Sequence, residues 1–265
     1  MTTTGFAGKK GIGWSLLASW LIPVMMTGAY IVLAVTSETD HTGQAWMSIG
    51  LAFVLILWWL FRLLTEHAAL SRAVAVGDAD RILELTDKQL NPPRWVRKRG
   101  AGDRARLQIF RALAYETRGD WQAALDAVSV TPVLSRQAPT LGVEAACIRV
   151  AAYVETGRVD EARRILDATI TPAAARLDRR TNPVGYVNAN LARGRVRWAE
   201  GAFDEAADLF QRVIDDVRAG SGQRAVAHFY VARCDDARGN TNGAAAHRAK
   251  AAQLLPGSWV ARQPS

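Results

Sequence analysis

The chain has 265 residues, of which 49% are hydrophobic, and 33 Lys and Arg against 25 Asp and Glu give a formal net charge of +8. Cys147 and Cys234, its two cysteines, each sit in an apolar helical pattern, which excludes a disulfide framework or a cysteine-spaced zinc site and fits a reducing compartment. The basic balance does not by itself indicate nucleic acid, because Arg and Lys alternate with carboxylates along most of the chain beyond about residue 65.

The long apolar runs and five of the nine tryptophans precede that point, so it divides two unlike regions. No charge lies between Lys10 and Glu38, and Trp14–Ala34 within that run has the roughly 20 residues that cross a bilayer. A second charge-free run, between Asp40 and Arg62, contains Ile49–Phe61. Soluble helices rarely extend this far without a polar face, because a core seldom encloses a helix on all sides. Residues 1–64 therefore read as a membrane anchor with transmembrane helices at about 12–35 and 45–64.

Pro23 is expected to kink the first span, a defect tolerated inside a helical pair. Lys9 and Lys10 before it, Glu38 and Asp40 in the connecting loop, and Arg62 and Arg72 after the second span place both termini in the cytoplasm of a bacterial-type inner membrane. Trp14, Trp46, Trp58, Trp59 and Phe61 fall where interfacial aromatic belts form. A cleaved signal peptide is the competing reading of the first run, with Ala34-Val35-Thr36 as its cleavage site, but the run exceeds the roughly 7–15 residues of such a core.

Between Gly50 and Gly77 no Gly or Pro interrupts the chain, and Leu63, Leu64, Ala68, Ala69, Leu70 and Ala73 keep a helical pattern. The second span is thus expected to continue into the first soluble helix as a stiff coupling. A first, weak helix pair is expected near 65–76 and 79–91. The 94–106 segment follows, where Arg94, Trp95, Arg97, Lys98 and Arg99 suit anionic lipid headgroups, with a solvated linker as the plainer reading. Nucleic acid is less favoured, since no aromatic platform accompanies these charges.

Four later segments share one pattern: Gly119-Asp-Trp-Gln-Ala-Ala124, Gly157-Arg-Val-Asp-Glu-Ala162, Gly201-Ala-Phe-Asp-Glu-Ala206 and Gly239-Asn-Thr-Asn-Gly-Ala244. Gly ends one helix in a left-handed cap, a turn residue starts the next, and Ala lets the two approach closely. Ala112, Gly194 and Ala232, seven before the Gly, and Tyr115 and Tyr153, four before it, extend the pattern. Ile82 stands at the Ala position after Gly77.

These residues resemble the tetratricopeptide repeat over roughly residues 104–256, with Ala251 and Pro256 matching its late positions. The Gly spacings of 38 and 44 exceed that family's length of about 34, placing longer linkers at Thr131–Leu141 and Thr171–Tyr186. The resemblance implies an all-α chain in which residues 65–258 form a right-handed α-solenoid of helix hairpins, followed by a tail at 259–265. It also implies a concave groove for protein or peptide partners, lined by Ile109, Leu113, Glu116, Cys147, Val154, Asn188, Leu191, Arg195, Trp198, Phe229 and Arg233. For the apolar members, Cys147 and Leu191 above all, core packing is the alternative.

Arg111, Arg149 and Arg193 share the position eight before each Gly. They form either a basic ladder for an acidic partner segment or a set of arginines facing water. His41, His67, His228 and His247 lie far apart in sequence, and no metal-ligand spacing, phosphate loop or nucleophile elbow occurs, so neither an enzyme nor a cofactor is expected. The leading expectation is a membrane-anchored scaffold or adaptor on the cytoplasmic face; the alternative is an accessory subunit of a membrane enzyme or transport complex. The order of elements is similar to that of two-span, repeat-tailed membrane proteins associated with haem biosynthesis, as an architecture without a shared motif.

Overall fold

The computed structural model describes residues 41–91, 100–129, 139–174 and 183–262. The first expected span, Trp14–Ala34, lies outside the described residues, as do Arg94, Trp95, Arg97, Lys98 and Arg99. The chain divides into two compact units, Met1–Ala69 and Leu70–Ser265. It is all-helical, with no strand among the described residues.

The first described helix, α1, runs unbroken from His41 to Val76, as the absence of Gly and Pro after Gly50 leads one to expect. On it Phe53, Leu55, Ile56, Leu57, Leu60 and Phe61 are exposed. Three of these are consecutive, and at about 100° per residue they point in three directions, so the exposure is not confined to one face. Among the described residues no helix is long and apolar enough to cross a membrane.

In the second unit the end of α1 is paired with α2 (Ala79–Leu90), α3 (Ala101–Arg118) with α4 (Trp121–Ser129), and α5 (Pro139–Glu155) with α6 (Val159–Ile165). The last continues through a π turn at Leu166–Ile170 into α7 (Thr171–Ala174), so the expected 171–186 linker begins as helix. Then α8 (Pro183–Ala199) pairs with α9 (Phe203–Asp215), and α10 (Ser221–Ala237) with α11 (Thr241–Leu254).

Every one of these hairpins turns in the same way. Gly77, Gly119, Gly157, Gly201 and Gly239 have φ between +74° and +80°, the left-handed region a side chain resists. After each Gly, the next amide donates to the carbonyl five residues before the Gly+1 position: Asp78 to Ala73, Asp120 to Tyr115, Arg158 to Tyr153, Ala202 to Arg197 and Asn240 to Asp235, at 2.8 to 2.9 Å. This bond and the one from the Gly amide satisfy carbonyls the helix end would otherwise orphan. Asp78, Asp120 and Asn240 then cap the following helix, accepting from the amides of Arg81, Ala123 and Gly243.

The residue five after each Gly is buried in every hairpin: Ile82, Ala124, Ala162, Ala206 and Ala244. Opposite it, Leu70, Ala112, Val150, Gly194 and Ala232 are buried seven before the Gly. The second helix of a hairpin also meets the first helix of the next, α2 against α3, α4 against α5, α6 against α8 and α9 against α10. Surface ion pairs repeat this relation. Arg118 just before one Gly pairs with Asp80 of the preceding hairpin, and Arg238 pairs with Asp204 at 2.6 Å, the same two repeat positions.

The first helices form an inner layer, α3 touching α5, α5 touching α8 and α8 touching α10. These helices bury Ala112, Ala145, Ala189, Ala192, Ala225 and Ala227 together with Ile109, Ile148, Val150, Val196, Phe229 and Tyr230, while Val128, Leu166, Ile170 and Phe210 are buried on the second helices.

The chain beyond 258 is not a free tail, which corrects the expectation for 259–265 as far as Arg262. Trp259 and Val260 form a buried 3-10 turn, because Trp259 finds two aromatic partners within reach of the chain end. Its ring meets Trp121 edge-on at 5.1 Å and Phe229 at 4.7 Å. A Cβ on Gly77 would collide with Leu255, Ser221 Oγ donates to the Ala75 carbonyl at 2.8 Å, and Arg262 donates to the Arg118 carbonyl at 2.6 Å. The last hairpin thereby closes onto the first two.

At Gly194 an added Cβ would lie 2.8 Å from Cε1 and Cζ of Phe210, a fully buried ring, whereas at Gly102 it would meet nothing. Gly194→Ala is therefore expected to destabilise the protein by about 1–3 kcal/mol, lowering Tm by roughly 2–4 °C per kcal/mol. Gly102→Ala, at an exposed site near the start of α3, should leave Tm unchanged or raise it. Thermal melts of the two variants side by side check this.

Candidate functional site

Six of the eleven groove-lining candidates are buried, and a seventh, Glu116, is nearly so. Ile109, Cys147, Val154, Leu191, Arg195 and Phe229 belong to the core, and the Glu116 side chain is only 14% exposed. Leu113, Asn188, Trp198 and Arg233 are half-buried. The structure brings several of these side chains into one cluster around Tyr230: Arg195 meets Glu116, and Arg233 lies over Trp198.

Its centre is an ion pair between Arg195 on α8 and Glu116 on α3, Nη2 to Oε1 at 2.6 Å, with Arg195 only 4% exposed. Burial alone would push the guanidinium down, but the Glu116 carboxylate, with Tyr230 and Glu155 nearby, outweighs it and holds Arg195 above the usual arginine range. The pair spans two hairpins, skipping the one between. A parallel link joins α5 to α10, where the Tyr230 hydroxyl donates to Glu155 and Arg233 Nη1 donates to the same carboxylate at 3.3 Å. Burial, reinforced by the Glu155 charge, raises the Tyr230 phenol well above its ordinary value, so it stays a donor.

Aromatic faces complete the cluster. Arg233 lies 3.7 Å above the Trp198 ring, and Tyr230 stacks on Phe210 at 4.9 Å. Beside it Gln223 donates to Asn188 at 2.6 Å. Arg195 Nε and Asn190 Nδ2 are buried without a hydrogen-bond partner. Burial pushes the Cys147 thiol up to about 12 and the Cys234 thiol up to about 11, which makes both inert packing groups rather than nucleophiles.

The arginines eight before each Gly are not an open ladder. Arg149 donates to the Val128 carbonyl at the end of α4 at 2.7 Å, and Arg111 lies 3.8 Å from Asp87 on α2 and 3.4 Å from the Tyr115 hydroxyl. Each reaches back to the second helix of the preceding hairpin, where the helix end offers carbonyls and negative charge. Arg193 is half-buried on α8. Of the 94–106 basic segment only residues 100–106 are described, and Arg104 and Arg106 there are exposed.

Two features escape a reading by sequence spacing. One is a shallow polar cleft beside the π turn, lined by Arg163, Leu166, Asp167, Val196, Arg197 and Glu200, in which Glu200 accepts from both arginines. The other is a histidine pair, His228 and His247, with Nδ1 atoms 2.8 Å apart across the α10–α11 hairpin. The two lie at comparable distances before and after Gly239, so folding the sequence about that turn would have paired them. Among the described residues no three His, Cys, Asp or Glu side chains gather as metal ligands. No protein-family model, curated protein or solved structure matches the chain.

The buried pair predicts an asymmetric mutational response. Arg195→Leu leaves Glu116 uncompensated and is expected to cost about 3–5 kcal/mol, while the double variant Arg195→Met, Glu116→Leu should recover most of that loss. Urea denaturation of the four species in a double-mutant cycle measures it.

Burial, and after it His247, Lys250 and Arg224, lower the His228 pKa from 6.5 to about 4. The unfolded chain therefore binds the proton first, so this contribution to stability is complete above the unfolded value and is lost as pH falls toward the folded one. His228→Gln should flatten the decline of Tm between roughly pH 6.5 and 4, as followed by circular dichroism.

Proposed function

We propose that the protein is a membrane-anchored helical-repeat scaffold, resembling tetratricopeptide arrays, that holds other proteins at the cytoplasmic face of a bacterial-type inner membrane. The observation that carries this reading is the five-fold use of one glycine turn to stack helix hairpins, an architecture whose elements bury their faces only against neighbours and whose edges serve recognition. The half-exposed edge of the inner cluster, Trp198 and Arg233, has the residue types that dominate binding hot spots.

Anchoring is supported by the two long charge-free runs and by the large apolar side chains exposed around α1 at Phe53–Phe61, which water would oppose and lipid would accept. The flanking charges favour cytoplasmic termini. Anionic lipid remains the proposed contact of the Arg94–Arg99 segment.

Exchange of residues 1–64 for an unrelated two-span anchor tests the scaffold reading. The set of proteins that co-purifies in mild detergent is expected to stay the same. Loss of that set with the native hairpin would instead assign specificity to the spans, the behaviour of an accessory subunit embedded in a membrane complex.

A further inference from the structure

From the way His228 and His247 meet, we infer a binding site for a monovalent metal ion, Cu(I) or its chemical analogue Ag(I), held between the two Nδ1 atoms. The inference goes beyond the scaffold reading and does not depend on it.

The pair is a product of the last hairpin. His228 stands eleven residues before Gly239 and His247 eight after it. Ala232 and Ala251, one helical turn from each histidine, and Ala244 are fully buried, so the two imidazoles lie at the margin of the α10–α11 contact. Arg248, beside His247, pairs with Asp236 across the same hairpin and helps to fix its register. Donors projected from packed helices are placed more firmly than donors on loops.

The rings meet nitrogen to nitrogen. Their centroids are 5.1 Å apart and their Nδ1 atoms 2.8 Å, so each Nδ1 lies close to the line joining the rings. One Nδ1 carries a hydrogen and the other a lone pair. When a metal ion takes the place of that hydrogen, the proton moves to Nε2 of the same ring. Both Nδ1 lone pairs then bind the ion, and no proton is lost from the pair. An ion needs a wider gap than a shared hydrogen. Both rings are only half-buried, so neither is enclosed and the two can part.

Two opposed nitrogens define the ion. Among the described residues no third His, Cys, Asp or Glu completes a ligand set. Zinc takes four ligands in a tetrahedron, whereas a monovalent ion with a filled d shell is satisfied by two in line. Imidazole is a suitable donor for copper. Lys250 and Arg224 act on His228, and their positive charge opposes a divalent ion more than a monovalent one. Each is turned toward another acceptor, Lys250 Nζ toward Gln253 Oε1 at 3.0 Å and Arg224 Nη2 toward the Asp216 carbonyl at 3.1 Å. An ion bound here staples α10 to α11.

The test uses the full wild-type chain in detergent with isotope-labelled histidine. By nuclear magnetic resonance, saturating silver nitrate is expected to shift the ring nitrogens of both His228 and His247 and to leave those of His41 and His67 in place. Shifts at neither ring of the pair, or at one ring alone, overturn the proposal. In a second measurement Cu(I) is delivered without oxygen from a coloured chelator. The wild-type chain is expected to take up one equivalent more than His228→Gln or His247→Gln, each checked for unchanged helicity, and equal uptake by all three chains overturns the proposal. Either negative result leaves the scaffold reading standing, because the anchor exchange above probes that separately.

Discussion

Everything in the second unit depends on a glycine held at positive φ. With Gly at 77, 119, 157, 201 and 239, a helix can stop within one residue, return its orphaned carbonyls to local amides and let the next helix start almost at once. The turn is short, so the two helices of a hairpin must lie against each other. A small residue suits the point of closest approach, and Ala recurs five residues on in four of the five hairpins. A larger residue at the same place, Ile82, is accommodated in the first hairpin within the cluster of Leu70, Ala73, Leu107 and Ala114.

The second determinant is the set of charged contacts between first helices. Arg195 on α8 reaches Glu116 on α3, two hairpins away. A buried ion pair of this kind contributes little net stability compared with apolar packing, yet it admits only one register between α3 and α8. Tyr230 and Arg233 on Glu155 do the same between α5 and α10.

The helix–turn–helix units, their turn residues and their small-residue contacts were legible in the sequence because caps and close approaches are local and leave a mark at fixed spacing. The charged cluster was not. Glu116 and Arg195 lie two hairpins apart, and no window of sequence shows that they will meet. Glu116 meets Arg195, and Arg233 meets Trp198, through contacts between hairpins that only the assembled array creates. Likewise the ends of α2 and α4, not a partner, attract Arg111 and Arg149.

The central claim, a repeat array tethered to the cytoplasmic face by residues 1–64, is tested most directly by placing single reactive cysteines on the two sides of the proposed membrane. The native thiols are buried and raised to about 12 and about 11, so they contribute little background. In intact cells an impermeant maleimide is expected to label Thr39→Cys, between Glu38 and Asp40 that separate the two charge-free runs, and to label Gln253→Cys on α11 only after permeabilisation. The protein should also resist alkaline extraction from the membrane. Labelling of Gln253→Cys in intact cells, or release of the protein at alkaline pH, would contradict the account.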